Sequence, residues 1–130
     1  MPIVELKFLK NLINANQEKI LIEKITQIIV DITSCSRDVV TIIFDEIKKD
    51  GWGSSGKATN SPLYHPIVII DILIGKTKKQ KADIIKAITN SVCEITNCPQ
   101  KKAVIIFRDV QLENWGSNGI PKKSKLFDRI

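Results

Sequence analysis

The chain has 130 residues, of which 43% are apolar, 26% charged and 5% aromatic. This length and composition allow one compact core but hardly two independent domains, so we expect a single globular unit. The longest apolar run, at 67–74, is interrupted by Asp71 and falls short of the ~18 to 20 residues of a membrane helix. Residues 1–5 lack the features of a secretory signal, so we expect a cytoplasmic protein with no membrane partner.

The cysteines and the net charge exclude further classes of site and partner. Cys35, Cys93 and Cys98 are an odd set without a close pairing pattern, and the single histidine, His65, cannot complete a tetrahedral zinc site with them. We therefore expect neither disulfides nor a metal. The net charge of +6 favours anionic partners. Because the lysines lack interleaved aromatic residues and any known nucleic-acid-binding motif, we expect no nucleic-acid partner.

The chain contains the same unit twice. Pro2-Ile3-Val4 recurs 64 positions later as Pro66-Ile67-Val68, and after a one-residue gap the offset becomes 63. The pairs at this offset include Gln17 and Gln80, Thr26 and Thr89, Cys35 and Cys98, and Trp52 and Trp115. We therefore predict one domain, 1–130, built of two repeats at 2–58 and 66–119, with a linker at 59–65 and a tail at 120–130.

Each repeat opens with a predicted strand and continues with a predicted helix. The strands lie at 3–9 and 67–74, and the second is apolar almost throughout, which is typical of a central strand buried on both faces. Asn14 and Thr77 each precede a glutamine three positions later, and apolar residues then recur at helical spacing. This pattern predicts one capped amphipathic helix in each repeat.

A second predicted strand follows each helix, at 39–47 and 103–110, and leads into a glycine-punctuated segment. A strand, a helix and a strand of this length imply two parallel strands with a right-handed crossover. The predicted fold class is therefore α/β, in a two-layer (α+β) arrangement of tandem β-α-β units that form a four-stranded sheet with both helices on one face. The other face is also apolar, so we expect oligomerisation to cover it.

These features together resemble the 4-oxalocrotonate tautomerase family. The resemblance rests on Met1-Pro2-Ile3-Val4, a capped helix with a glutamine in its first turn, an Ile-Ile strand, and an aromatic-Gly-x-x-Gly segment, in this order and twice over. The chain thus resembles a fused, double-length member of the tautomerase superfamily. The resemblance implies the tautomerase-like fold, no metal or organic cofactor, and a homotrimer whose three fused chains match the six-unit ring of the short members.

The resemblance implies that Pro2 is the catalytic residue. Once Met1 is removed, Pro2 carries a secondary amine, and burial in an apolar, cation-lined pocket disfavours its protonated form, so it can act as a general base. Pro66 lies within the chain, and its nitrogen belongs to a peptide bond. Only one of the two ancestral sites can therefore retain the amine. Without the surrounding pattern, Pro2 would be read simply as the start of a strand.

The resemblance also implies substrate-binding residues. Family members place a cation ten positions after the proline, where it reaches the proline of the paired unit; this position is Leu12 in the first repeat and Lys76 in the second. Lys76 would hold the substrate's carboxylate, or would belong to the solvated lysines around it. The aromatic residue that closes the pocket would be Trp115 at the Pro2 site and Trp52 at the vacated site; packing at an oligomer interface is the alternative.

One feature of the family is missing. The arginine that polarises the substrate's carbonyl, near the start of the second strand, is replaced by Thr41 and Val104. Arg37 and Arg108 lie four residues away, about 13 Å along a strand, so neither is an obvious substitute. The lack of any arginine between these two, and of a carboxylate in 116–119, counts against the dehalogenases of the superfamily.

The resemblance therefore favours a cofactor-independent tautomerase that moves a proton on a small anionic carboxylate substrate, a 2-hydroxy-alkenoate or 2-keto acid. The alternative is a catalytically silent binding or assembly protein with the tautomerase fold. Three other residues are given structural roles: Cys35 and Cys98 as small buried residues, and His65 as part of the linker. Asp71 occupies the position that matches Lys7, and we expect these two to pair across the pseudo-twofold axis.

Overall fold

Each repeat folds into a β-α-β unit followed by a short hairpin. The computed structural model describes residues 2–58 and 65–123. The elements of the first repeat are β1 (Ile3–Leu9), α1 (Ala15–Thr33), β2 (Thr41–Ile47), β3 (Gly53–Ser54) and β4 (Lys57–Ala58). Those of the second repeat are β5 (Ile67–Leu73), α2 (Lys78–Thr96), β6 (Val104–Val110), β7 (Gly116–Ser117) and β8 (Ile120–Pro121).

The four long strands form one mixed sheet in the order β2-β1-β5-β6. Within each repeat the two strands are parallel, whereas β1 and β5 are antiparallel, with Ile3 opposite Asp71 and Glu5 opposite Ile69. Because Glu5 and Ile69 are equivalent positions of the two repeats, the pseudo-twofold axis passes between them. The predicted two-layer architecture is confirmed, and both opening strands are central.

Both helices begin at the predicted caps. The side chain of Asn14 accepts a hydrogen bond from the backbone N–H of Gln17 at 2.8 Å, and the side chain of Gln17 accepts one from the N–H of Asn14 at 2.9 Å. Thr77 and Gln80 make the same reciprocal pair at 3.0 and 2.9 Å. Two otherwise unpaired donors of each first turn are satisfied in this way, which fixes where each helix starts.

The core lies between the two helices and one face of the sheet. The side chains that alternate along β1 and β5 toward the helices are fully buried, and so is the inner stripe of each helix. The largest of these residues are Val4, Leu6, Phe8, Leu21, Ile25, Ile29, Val68, Ile70, Ile72, Ile84 and Ile88. The helices also pack against each other. The prediction that both helices cover the same face is confirmed.

The opposite face of the sheet, which we call the open face, is not covered within one chain. Ile43, Val104 and Ile106 on the outer strands are 47%, 39% and 43% exposed, and the outward residues of the central strands are half-buried. The expectation that β5 is buried on both faces is therefore wrong for the single chain. Its apolar outward residues belong to a surface that a second chain would have to cover.

Two ion pairs occupy equivalent places of the open face with opposite polarity. Lys7 on β1 contacts Asp45 on β2 at 2.8 Å, and also contacts Glu5 at 2.8 Å. Arg108 on β6 donates two hydrogen bonds to Asp71 on β5, at 2.7 and 2.9 Å. The expected pairing of Lys7 with Asp71 is wrong, because the antiparallel register sets Lys7 four residues along β1 from the partner of Asp71, about 13 Å away.

The limits of the repeats differ slightly from the prediction. Ile120–Pro121 forms β8, so the second repeat extends past residue 119, whereas most of the predicted linker and tail, at 59–64 and 124–130, lies outside the described residues. His65, at the end of the linker, has its Nδ1 atom 3.0 Å from the carbonyl oxygen of Lys102. Neither α1 nor α2 is long and apolar enough to span a membrane.

Candidate active site

Pro2 lies at the end of the sheet where β1 begins. The residue is buried, and its carbonyl oxygen accepts a hydrogen bond from the N–H of Thr41 at 3.1 Å, which holds it against the start of β2. Pro66 has the same place in the second repeat, where its carbonyl oxygen accepts a bond from the N–H of Val104 at 3.0 Å. Because β1 and β5 are antiparallel, the two prolines lie at opposite ends of the strands. We call these the Pro2 end and the Pro66 end of the sheet.

Lys76 lies at the Pro2 end. β5 ends there at Leu73, and Lys76 occupies the short connection between this strand and the cap of α2. The preceding residue, Gly75, has φ +115°, a conformation that side-chain-bearing residues rarely adopt. Lys76 itself is half-buried. The strand register, the glycine turn and the helix cap together determine where its backbone lies.

Trp115 also lies at the Pro2 end, because β6 runs parallel with β5 and ends beside it. The chain then passes through a single turn of 3-10 helix, Leu112–Asn114, and the N–H of Trp115 donates to the carbonyl oxygen of Leu112 at 3.2 Å. Trp115 is buried, whereas its counterpart Trp52 is half-buried. Pro2, Lys76 and Trp115 thus come to one end of the sheet from three separate parts of the chain.

Trp52 lies at the Pro66 end. It lines a cavity of about 240 Å³ whose walls are Lys7, Ile47, Gly51, Trp52, Gly53 and Ile67. Ile67 directly follows Pro66, so the cavity opens beside the proline whose nitrogen is tied into a peptide bond. Leu12 belongs to this end as well, after the last residue of β1, and it packs against the core. This end therefore has an aromatic wall, but its proline nitrogen is an amide and Leu12 stands where Lys76 stands at the other end.

A tight hairpin follows each tryptophan and fixes its position. Both central residues of each turn have positive φ, between 55° and 77°, which suits two-residue turns between twisted strands. These residues are Ser55, Gly56, Asn118 and Gly119. In the second hairpin the N–H of Lys122 donates to the carbonyl oxygen of Trp115 at 2.9 Å. The glycine-punctuated segments of the sequence are thus the hairpins that hold the two tryptophans.

Sequence reasoning did not assign Arg108 to the Pro2 end. Arg108 lies opposite Asp71, which in turn lies opposite Ile3 on the next strand. All three positions are one residue in from the Pro2 end. The hydrogen bonds and the charge of Asp71 raise the pKa of Arg108 above its ordinary value. Arg37, in contrast, reaches back along α1 to Glu23 and Gln27, at 2.6 and 2.5 Å. The sequence feature that could have pointed to Arg108 is the opposite charge of Asp45 and Arg108, which occupy equivalent positions of the two repeats.

Comparison with known proteins agrees with the repeat and with the fold. A family model described as "Tautomerase enzyme" matches residues 2–60 and again 66–125. Probable tautomerase K2 of Dickeya dadantii (strain 3937) is 34% identical over 58 residues, which are 45% of this chain and 87% of that protein. The 2-hydroxymuconate tautomerase of Comamonas testosteroni is 31% identical over 58 residues, 45% of this chain and 92% of that protein.

Among solved structures, the chain is similar to F6 fused 4-OT, a wild-type asymmetric trimer, with a TM-score of 0.83 and 22% identity. The match covers 92% of this chain and 94% of that chain. The same arrangement of two β-α-β units is therefore shared over nearly the whole length of both proteins.

Proposed function

Because the chain belongs to the tautomerase family, with one family unit in each half, we propose that it is a cofactor-independent keto-enol tautomerase. Its substrate is a small 2-hydroxy-alkenoate or 2-keto acid. The observation that carries the proposal is that Pro2, Lys76 and Trp115 converge at one end of the sheet, although they are far apart in the chain. Pro2 is the general base, Lys76 holds a carboxylate of the substrate, and Trp115 shields the reacting atoms from water.

In the proposed reaction, substrate and product are isomers. The nitrogen of Pro2, free once Met1 is removed, accepts the hydroxyl proton of the enol and returns a proton to carbon, while the C–O bond becomes a carbonyl. No electron acceptor or further reactant is needed. Burial of Pro2 and the positive charge of Lys76 both disfavour a protonated amine, which keeps the nitrogen available as a base near neutral pH.

The proposal gives each chain one active site. At the Pro66 end the proline nitrogen is an amide, and Leu12 replaces the cation, so the cavity beside Trp52 can hold a ligand but lacks the proline amine. We further propose a homotrimer, in which the exposed isoleucines of the open face are covered by neighbouring chains. The trimer of the fused 4-OT, which has the same fold, supports this arrangement.

The second candidate is a catalytically silent binding or assembly protein. It is favoured by Thr41 and Val104, which occupy the position of the family's strand arginine. The two candidates differ in one measurable property, the turnover of a simple enol acid.

The test is ultraviolet-monitored ketonisation of phenylenolpyruvate and 2-hydroxymuconate by protein whose N-terminus has been verified by mass spectrometry. Loss of a general base lowers rates by roughly 10²- to 10⁴-fold, and we expect a loss of kcat/KM in this range for Pro2→Ala. Pro66→Ala is the matched control and should retain activity, because its nitrogen is already an amide. Full activity in Pro2→Ala would refute the proposed mechanism.

Lys76→Ala should raise KM, whereas Lys79→Ala should not, because the ammonium of Lys79 is exposed and contacts Asp83 in the next turn of α2. Absence of turnover by protein that has lost Met1 would favour the silent candidate.

A further inference from the structure

We propose that Arg108 binds the substrate at the Pro2 end, donating to its carboxylate and to the neighbouring 2-oxygen. This inference rests on the proposed function, and it names a residue for the role left open by Thr41 and Val104. In a 2-keto or 2-hydroxy acid, the carboxylate and the 2-oxygen stand on adjacent carbons. A planar guanidinium matches such a pair of oxygens with two parallel hydrogen bonds.

The register of the sheet carries Arg108 to the Pro2 end. Asp71 is opposite Ile3, and Arg108 is opposite Asp71. Neighbouring strands lie about 4.8 Å apart, so the Cα atom of Arg108 lies about 10 Å from that of Ile3, the residue that follows Pro2. An arginine side chain and a small ligand together can cover this span.

The ion pair with Asp71 turns the guanidinium toward β1. Asp71 lies on the strand between Arg108 and Ile3, and both hydrogen bonds of Arg108 go to its carboxylate. Glu5, on β1 itself, adds to the rise in the pKa of Arg108 that the hydrogen bonds and charge of Asp71 cause. The guanidinium is therefore attracted by carboxylates on both central strands, and it lies on the side of β6 that faces β5 and β1.

The guanidinium has unused donors. A guanidinium carries five N–H groups, and Asp71 accepts one from Nε and one from Nη2. The other three, along the edge formed by Nη1 and Nη2, have no acceptor in residues 2–58 and 65–123. The side chain is 57% exposed in the single chain, and a ligand can approach this edge provided that the chains covering the open face in the proposed trimer leave it accessible. The Asp71 carboxylate holds one edge of the fork and leaves the other for a ligand.

Among residues 2–58 and 65–123, no group at the Pro66 end is equivalent to Arg108. The position that matches Arg108 is Asp45, an anion, and the cation paired with it is Lys7, whose ammonium group is shared by Asp45 and Glu5. The arginine Arg37 is held by groups on α1. Within the described ranges, Arg108 is thus the arginine available to the sheet, and it lies at the end that keeps the proline amine.

The test measures binding of phenylglyoxylate, a 2-keto acid that has no hydrogen on the carbon beside its carbonyl and so cannot tautomerise. The readout is Trp115 fluorescence in a Trp52→Phe background. We expect Arg108→Gln to raise the Kd of phenylglyoxylate at least tenfold, and Arg37→Gln, which also removes a paired arginine, to leave it unchanged. A Kd for Arg108→Gln within twofold of the parent, or no saturable binding by the parent, would overturn the inference.

A double variant separates binding from charge balance. If Arg108 only neutralised Asp71, the combination of Asp71→Asn with Arg108→Gln would restore the parent's Kd, and the inference would be refuted. If Arg108 contacts the ligand, the double variant stays at least tenfold weaker.

Failure of the inference is distinguishable from failure of the proposed function. Turnover of an enol acid tests Pro2, whereas phenylglyoxylate affinity tests Arg108 alone. An active enzyme with an unchanged Kd would refute only the role of Arg108. An inactive protein with a tenfold change would refute the tautomerase and retain Arg108 as a ligand-binding residue.

Discussion

Replacement of Thr77 by alanine should impair both substrate binding and stability, whereas loss of the matching cap of α1 should lower stability alone. Thr77 is the cap of α2 and directly follows Lys76, so the hydrogen bonds of the cap also hold the backbone of the proposed carboxylate-binding residue. The first repeat provides a matched control. Asn14 caps α1 with the same two hydrogen bonds, but it belongs to the Pro66 end, where no cation precedes the cap at the equivalent position.

The expected loss of stability follows from the two caps. Thr77→Ala removes the hydrogen bond that the hydroxyl accepts from Gln80 at 3.0 Å, and Asn14→Ala removes its counterpart at 2.8 Å. Loss of such a cap costs about 1 kcal/mol, and asparagine is at least as good a cap as threonine. Both variants should therefore melt about 3 to 5 °C below the parent, with Asn14→Ala at least as destabilised.

The activities should rank in the opposite order. A shift of a binding group by about an ångström is enough to lower kcat/KM by up to 10²-fold, and for a loosened but intact cap we expect a roughly three- to tenfold rise in KM for Thr77→Ala. Asn14→Ala should keep the parent's KM. Steady-state kinetics well below the melting temperatures, beside thermal unfolding followed by circular dichroism, measure both quantities on the same samples.

An equal loss of activity in the two variants would refute the reasoning. It would mean that helix stability in general, rather than the position of Lys76, controls binding. A normal KM in Thr77→Ala together with the expected loss of stability would show that the cap does not position the substrate-binding group.

Two further predictions concern the core and the thiols. Ile88→Ala should lower the free energy of unfolding by about 2 to 5 kcal/mol, because Ile88 is fully buried. Ile85→Ala, at a position 38% exposed, should lower it by less than about 1 kcal/mol. Equal losses in urea denaturation would show that the outer face of α2 is covered. Burial, followed by the hydrogen bond with Cys98, raises the pKa of Cys93 from 9.0 to about 12. The folded chain thus favours the neutral thiol, so the stability contributed by this group is complete below pH 9 and is lost as pH rises toward 12. Iodoacetamide at pH 9 should label Cys93 more slowly in the native than in the unfolded chain, and fast native labelling, read by mass spectrometry, would contradict this.

Local features of the fold could be predicted from the sequence. The predicted limits of the four long strands agree with the observed limits to within two residues, and both helices begin at the predicted caps, because alternation along a strand and caps such as Asn14 and Thr77 act over a few neighbouring positions. The main shortening is at the start of β2, where Arg37–Val39 forms a turn of 3-10 helix instead of extended chain. The internal repeat then determined the topology, because two β-α-β units allow few arrangements.

Contacts between strands could not be predicted in the same way. Lys7 and Asp71 match in the two repeats, but equivalent positions lie on opposite sides of the pseudo-twofold axis unless they are at the axis itself. The residue opposite Asp71 is Ile3, and only the register reveals this. The place of Arg108 depends on the same register, carried across one more strand, so its nearness to the Pro2 end could not be found by counting residues from the family's arginine.

The sequence also could not show what covers the apolar residues of β5. An apolar sequence indicates that a surface is covered, but it does not distinguish cover from the same chain from cover by another. In this chain the helices cover one face, and the outward residues of β5 remain half-buried.

The opposite polarity of the two ion pairs has a consequence for how such a protein can evolve. In an assembly of identical short chains, every substitution is repeated in all sites at once, so a change that improves one pocket alters all of them. Here Lys7 and Asp45 of one half, and Asp71 and Arg108 of the other, are encoded by separate codons. When the two units are joined in one gene, a substitution at one end of the sheet leaves the other end unchanged. The two halves can therefore differ at equivalent positions, as they do at Asp45 and Arg108.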